Sequence, residues 1–412
     1  MYNVGFGDCF LVTIRRPEKV WRMLVDCGVH NQGQKHSMKE IVPALISDIT
    51  EKGRAHIDVL VATHHHADHI AGFALDDWEN VSVGEVWLPF VEDESDVDAI
   101  RLREAQDSAA IGLNAVINQL QGGHSSDSWP GPIAHAYDLV VNSLRNQDAA
   151  DRLLGKNGKR FKNSDVKTRY FPIVGQDVTR VPIDGMGGTI HVLGPSRNPD
   201  AIKAMNPPSS AGWLRFDHQS SVAAGGVGAA ESLFSPEYSL SSRYVPIHLR
   251  QEKASLALRT LSYYEGISHV ASILERSVNN TSLIFVVEIG GVKLLFPGDA
   301  QHGAWAHVLA LKENRSLLAD VNMYKIGHHG SHNGTPREFV EEVWRSGAVA
   351  FLPWGLVKRW QESIPKAELV EALKARNHEI ICGGEPFKHD TDEEISSQDL
   401  YLERAFPIVA LI

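Results

Sequence analysis

The chain has 412 residues, 43% of them hydrophobic and 22% charged, with a formal net charge of −11. This is the composition of a globular protein large enough to bury a core without cross-links, and its acidity disfavours non-specific adhesion to DNA or an anionic membrane. No apolar run reaches the length of a spanning helix, MYNVGFGDCF at the N-terminus lacks the pattern of a secretory signal, and three irregularly spaced cysteines (Cys9, Cys27, Cys382) exclude a disulfide framework. The expectation is a cytoplasmic protein with reduced thiols.

Strand and turn signals alternate through the first ninety residues. Asp8–Ile14 and Trp21–Asp26 read as paired strands around Arg16–Pro17. Gln34–Glu51 has helical spacing, with Ile41, Leu45 and Ile49 at intervals of four. Ile57–Ala62 is a short apolar run rich in β-branched residues, as expected of a strand covered on both faces. It leads directly into THHHADH, and Gly84–Leu88 is the next strand.

From about Val91 to Lys156 the sequence turns acidic and then helical, around the loop GGHSSDSWPGP. Arg152–Arg169 is locally basic, with seven Lys and Arg against Asp165 alone. It reads either as a solvated loop or as a track for a phosphate backbone, with Phe161 or Tyr170 available to stack on a base. Thr189–Leu193 is a strand, Ser196–Ser277 is irregular, and Ser282–Ile289 and Val292–Phe296 form a hairpin around Gly290–Gly291. Strand–helix units close the chain, with helices expected from Pro336 and Pro365. No internal repeat occurs, and neither irregular region has a linker-like border. The reading is a single domain, residues 1–412, with insertions at about 91–180 and 196–278.

Chemistry concentrates in Thr63–His69. His64, His66, Asp68 and His69 follow a buried strand within six residues, and imidazole with carboxylate is the usual ligand set of Zn²⁺ and similar cations. Residues two apart in an extended turn share a face, so His64 and His66 can grip one ion while Asp68 and His69 address a second. Asp299 follows an apolar strand and a Pro–Gly turn, where a carboxylate can bridge two cations. His328 and His329 follow another strand in a Gly-flanked loop; one can complete the Asp68/His69 site while the other faces substrate, and the reading leans to His328 as the ligand. No G-x-S-x-G or phosphate-cradling G-x-x-x-x-G-K-[ST] occurs, and GMGGT at 185–189 is read as a turn.

His-x-His-x-Asp-His resembles the signature of the metallo-β-lactamase superfamily. Four further segments, in order, resemble its branch that includes the hydrolase domain of the DNA-uptake protein ComEC: NVGFGDCFLV, LVDCG, LLFPGDA and YKIGHHGSHNGT. The resemblance spans residues 3 to 335 without the insertions, and the membrane segments of ComEC have no counterpart here. It implies an α/β four-layer αβ/βα sandwich with metals at one edge. It also implies that Asp26 orients a ligand histidine, with Asp8 supporting it. Many members supply a further His before the bridging Asp; here VNNTSLIF places Asn279 and Asn280 there, and His269 lies ten residues earlier. The His64/His66 ion is then loosely held or of a different kind, such as Mn²⁺, with Asn280 in a supporting position.

These features point to a hydrolase with two divalent ions, Zn²⁺ first and Mn²⁺ second, acting through a metal-bridging hydroxide. His64, His66, Asp68, His69, Asp299 and His328 would be ligands, and His329 or Lys325 would steady the leaving group or an anionic oxygen. The resemblance implies a phosphodiester substrate, nucleic acid or nucleotide. Hydrolysis of a lactone, lactam or thioester is the alternative, and a non-catalytic binding module the third.

Overall fold

In the computed structural model, residues 1–104, 146–208, 212–213, 278–360, 363–384, 395–398 and 400–408 are described. The glycine-rich loop at 122–132, the run AAGGVGAA and His269 lie outside them.

The N-terminal sheet opens with the antiparallel pair β1 (Phe10–Arg16) and β2 (Lys19–Val25). Helix α1 (Met38–Asp48) packs Ile41, Val42 and Leu45 inward. It is shorter than its hydrophobic spacing suggests at both ends. Ser37 N donates to Glu40 Oε2 (2.8 Å), capping its start, and Thr50–Glu51 (β3) pairs with the next strand instead of extending the helix. That strand, β4 (Arg54–Val61), is parallel to β2 and to β5 (Val81–Pro89). Strand β6 (Lys167–Phe171) adds to β5 in parallel, so the end of the segment expected as an insertion supplies a sheet strand.

The second sheet has seven strands in the order β13-β12-β11-β10-β9-β8-β7. These are β7 (Thr179–Ile183), β8 (Gly188–Gly194), β9 (Ile284–Ile289), β10 (Val292–Phe296), β11 (Met323–Lys325), β12 (Val349–Leu352) and β13 (Glu379–Cys382). Gly290 and Gly291 turn β9 into β10 at φ +53° and +83°, the left-handed pair that a two-residue hairpin requires. A small hairpin, β14 (Ile395–Gln398) and β15 (Tyr401–Arg404), stands beside the N-terminus, where Asn3 N donates to Leu400 O (2.7 Å).

Val25, Val61 and Trp87 of the first sheet meet Phe285, Phe296 and Phe351 of the second in one shared core. The outer face of the first sheet is covered by α1 and the turns after β4; that of the second packs under the C-terminal helices. Helix, sheet, sheet and helix make the expected four-layer sandwich. The helix expected from Pro336 is one wide turn, Phe339–Val343. Trp344 ends it by stacking on Phe339 (5.3 Å between centroids) and donating its indole N–H to Val321 O (2.8 Å). The Pro365 helix is present as Ala367–Ala375. Among the described residues no helix is long and apolar enough to cross a membrane.

Candidate metal centre

Strand ends from both sheets converge at one edge of the sandwich. Asp26 follows β2, His64–His69 follow β4, Asp299 follows β10, and His328–His329 follow β11; Asp8 leads into β1. All of these side chains except those of His65, Ala67 and His328 are buried. Gly28 makes the approach possible: a Cβ there would lie 2.4 Å from Ala67 O, Asp68 C and His69 N, backbone that cannot swing aside. Asp26, His328 and His329 adopt φ of +57°, +48° and +51°, conformations held by surrounding structure and concentrated at functional sites.

Asp26 is the organiser on the first sheet. Its Oδ1 accepts from Thr63 N (2.7 Å), and its Oδ2 accepts from Thr63 Oγ1 (2.7 Å) and pairs with His69 Nδ1 (2.8 Å). This turns His69 Nε2 toward Asp299 Oδ2, 3.2 Å away. His329 Nε2 comes from the other sheet to 3.5 Å from Asp68 Oδ2 and 3.7 Å from Asp299 Oδ2. One donor atom each from Asp68, His69, Asp299 and His329 lies within 4.8 Å of the others. Beside them His64 Nε2 faces His66 Nδ1 at 3.0 Å.

The electrostatics favour cations here. Asp8, Asp26, Asp68 and Asp299 are four buried carboxylates, faced by Lys325, the one buried lysine among the described residues. Burial works against ionised Asp68 and Asp299, but His329 and His69 beside Asp68, and His69 and Lys325 beside Asp299, hold both well below the usual carboxylate range. Burial likewise opposes a charged His69, yet Asp299, Asp8 and Asp26 raise it well above the ordinary range, so a proton stands where positive charge is demanded. Burial keeps His64 low and pushes His66 down to about 4, leaving neutral imidazoles, the ligand form. Among the described residues, Nε2 of His66, His69 and His329 lack hydrogen-bond partners. Orphaned imidazole nitrogens aimed at ionised carboxylates fit divalent metal, which would compensate the buried negative charge. Asp8, Asp26 and His69 Nδ1 also converge, but there Lys325 Nζ, 2.5 Å from Asp8 Oδ2, already supplies the cation.

Four sequence expectations change. His329, not His328, joins the cluster: its Nδ1 lies 3.2 Å from Pro353 O, which turns Nε2 inward. His328 Nδ1 instead meets Ser331 Oγ (2.8 Å) and Asn333 Oδ1 (3.3 Å), leaving a partly exposed ring at the rim. Lys325 is enclosed rather than substrate-facing, held by Asp8, by Asp299 Oδ1 (3.1 Å) and by Gly298 O (2.9 Å); burial lowers its pKa, but the two carboxylates more than restore it. Asn280 is committed elsewhere, donating to Ile202 O (2.9 Å) and Ala204 O (3.1 Å) and accepting from Gln301 N (3.0 Å). Finally, the basic segment is largely paired internally. Arg152 is buried against Phe73 O, Arg160 O and Asp76, Lys159 also reaches Asp76, and Lys167 and Arg169 share Glu85. Phe161 packs near Trp78 in the core and offers no face to a base.

Sequence reasoning missed Thr63 and Gly28. The signal for Thr63 was its place between the strand and the histidines; nothing local pointed from Gly28 to a contact forty residues on.

Residues 2–75 match the family model described as "Metallo-beta-lactamase superfamily". Over 73 residues, 18% of this chain, the sequence is 34% identical to ComE operon protein 3 of Bacillus subtilis (strain 168). The match spans 9% of that protein's length.

Proposed function

We propose that this chain, a metallo-β-lactamase superfamily protein by its fold and its N-terminal segment, is a two-metal phosphodiesterase acting on nucleic acid or nucleotides. The observation that carries the reading is the convergence of Asp68, His69, Asp299 and His329 from two sheets, with the Nε2 atoms of the two histidines facing the carboxylates without a hydrogen-bond partner. In this reading His64 and His66 would help to hold one ion and Asp68, His69 and His329 the other, with Asp299 available to both. The borderline N/O donor set favours Zn²⁺, with Mn²⁺ the second candidate. When bound, two such ions supply an activated water and charge stabilisation for the attacked group. The chain's own work is positioning. Asp26 fixes the tautomer and direction of His69. Lys325, braced by Asp8, holds Asp299 in its ionised form. His328, steadied by Ser331 and Asn333, stands at the rim where it can contact substrate.

The phosphodiester assignment rests on the likeness of five ordered motifs to the ComEC branch and on the ComE operon protein 3 match. The test is a panel of Zn²⁺- or Mn²⁺-loaded protein on a chromogenic phosphodiester, a lactone, a lactam and a thioester. Phosphodiester turnover abolished by chelation and by Asp299→Asn is the expected result. Turnover confined to a carbonyl substrate would replace the reading with hydrolysis of a C–O, C–N or C–S bond.

A further inference from the structure

We infer that the sandwich carries a second ligand site, a cleft away from the metal centre that takes a small aromatic anion with N–H donors on its ring, the chemistry of a nucleoside monophosphate. The inference goes beyond the proposed reaction and does not depend on it. The cleft has a volume of about 500 Å³, within the range of sites that enclose a small organic ligand. It opens between the end strands of the two sheets, with β4, β5 and β6 on one side and β7 and β8 on the other. Strand β2 runs from this cleft toward the metal centre: Trp21 lines the cleft, and Asp26 follows five residues later, about 16 Å of extended chain.

The floor of the cleft is apolar. Trp21, Val59, Trp87, Val181 and Ile190 line it, all buried members of the core that the two sheets share. Two indoles in one floor suit a planar ring better than an aliphatic chain. The walls are charged. Glu85 answers both Lys167 (3.2 Å) and Arg169 (3.3 Å), and its Oε2 also accepts from Trp87 Nε1 (2.8 Å), so one carboxylate faces two cations. Lys19 adds a third cation, whose Nζ donates to Asp184 O (2.6 Å), a carbonyl that cancels no charge. In a chain of net charge −11, this wall matches a phosphate or carboxylate on the ligand. Asp58 supplies the opposite feature. Its Oδ2 accepts from Arg22 N (2.8 Å), while its Oδ1 lies 3.7 Å from His56 Nε2, too far for a hydrogen bond. That oxygen can accept from a ring N–H or amino group, which an amino-bearing nucleobase has and a simple aryl acid lacks.

The test titrates the full chain calorimetrically with adenosine 5′-monophosphate, with ribose 5-phosphate and with adenosine. The nucleotide is expected to bind about tenfold or more tighter than either fragment, because each fragment lacks one half of the match. Lys19→Glu combined with Lys167→Glu, both at exposed positions, should weaken the nucleotide about tenfold and leave adenosine unchanged. Asp58→Asn, which keeps an oxygen for Arg22 N, should weaken the nucleotide and leave ribose 5-phosphate unchanged, and it serves alone if the double variant fails to fold. Asp299→Asn, in the metal centre, should retain the preference for the nucleotide over ribose 5-phosphate. No saturable binding of the nucleotide, equal binding of nucleotide and ribose 5-phosphate, or wild-type affinity in both cleft variants would overturn the site. Loss of the preference in Asp299→Asn would move the ligand to the metals and overturn it equally. Failure of the phosphodiesterase reading is registered separately, by the absence of turnover on a chromogenic phosphodiester, and leaves these binding results untouched.

Discussion

Asp26→Asn separates the charge of the orienting carboxylate from its shape. Asn tolerates a left-handed backbone as Asp does, so φ of +57° at this position carries no new strain. The carboxylate meets three groups: Thr63 N at one oxygen, Thr63 Oγ1 and His69 Nδ1 at the other. An amide keeps one accepting oxygen and sets an NH2 against N–H or O–H donors on the other side. His69 then loses the negative charge behind it and, in one amide orientation, the acceptor that fixes its tautomer. Loss of such a partner behind a ligand His lowers metal affinity about 10- to 100-fold, or about 1.4–2.7 kcal/mol. Competition between apo-protein and a chromophoric chelator for Zn²⁺ measures this directly, with circular dichroism as the control for folding. Affinity within twofold of wild type would refute the argument, and Asp26 would be reduced to a residue that forms a turn.

His329→Ala should lower the bound metal measured by elemental analysis, whereas His328→Ala should keep it and lose turnover about 10²-fold, as for removal of a substrate-facing donor; the reverse pattern would exchange the two roles. Gly28→Ala forces a methyl group into the backbone of Ala67–His69, so a loss of about 1–3 kcal/mol in chemical denaturation, with weaker metal binding, is expected, and a neutral result would mean that the loops separate easily. His378 is a pH probe outside the candidate metal centre: burial first, then Arg376, lowers it from 6.5 to about 4 while its Nδ1 accepts from Ala348 N. The unfolded chain therefore binds the extra proton first, so the stability contributed is complete above pH 6.5 and is lost as pH falls toward 4. Urea midpoints of chelator-treated protein should fall across that window and fall less in His378→Gln; identical slopes would count against it.

The sandwich and the cluster at its edge were legible because short-range signals carry them. Ile57–Ala62 announces a strand covered on both faces, Gly290–Gly291 a tight hairpin, and THHHADH a set of donors too dense for an ordinary loop. The choice between His328 and His329 was not legible. Adjacent residues in a loop point opposite ways, and which points inward depends on Pro353, a carbonyl 24 residues away that engages His329. Asn280 misled for a related reason: its position relative to Asp299 resembles that of a ligand, but the 202–204 backbone and Gln301 occupy its side chain. In Arg152–Arg169, counting charges missed the acids that answer them, because Asp76 and Glu85 lie on distant turns and strands.

The cluster is divided between the two sheets, Asp68 and His69 hanging from one and Asp299 and His329 from the other. A cation gripping all four would act as a rivet through the seam. Docking the sheets and closing the coordination sphere then become one event, because neither half alone presents more than part of the donor set. Binding free energy at such a seam would be spent on holding the halves in register, so metal affinity and the integrity of the Val61–Phe296 core would rise and fall together. A fragment ending near residue 75, however faithful its histidines, would carry a half-built site.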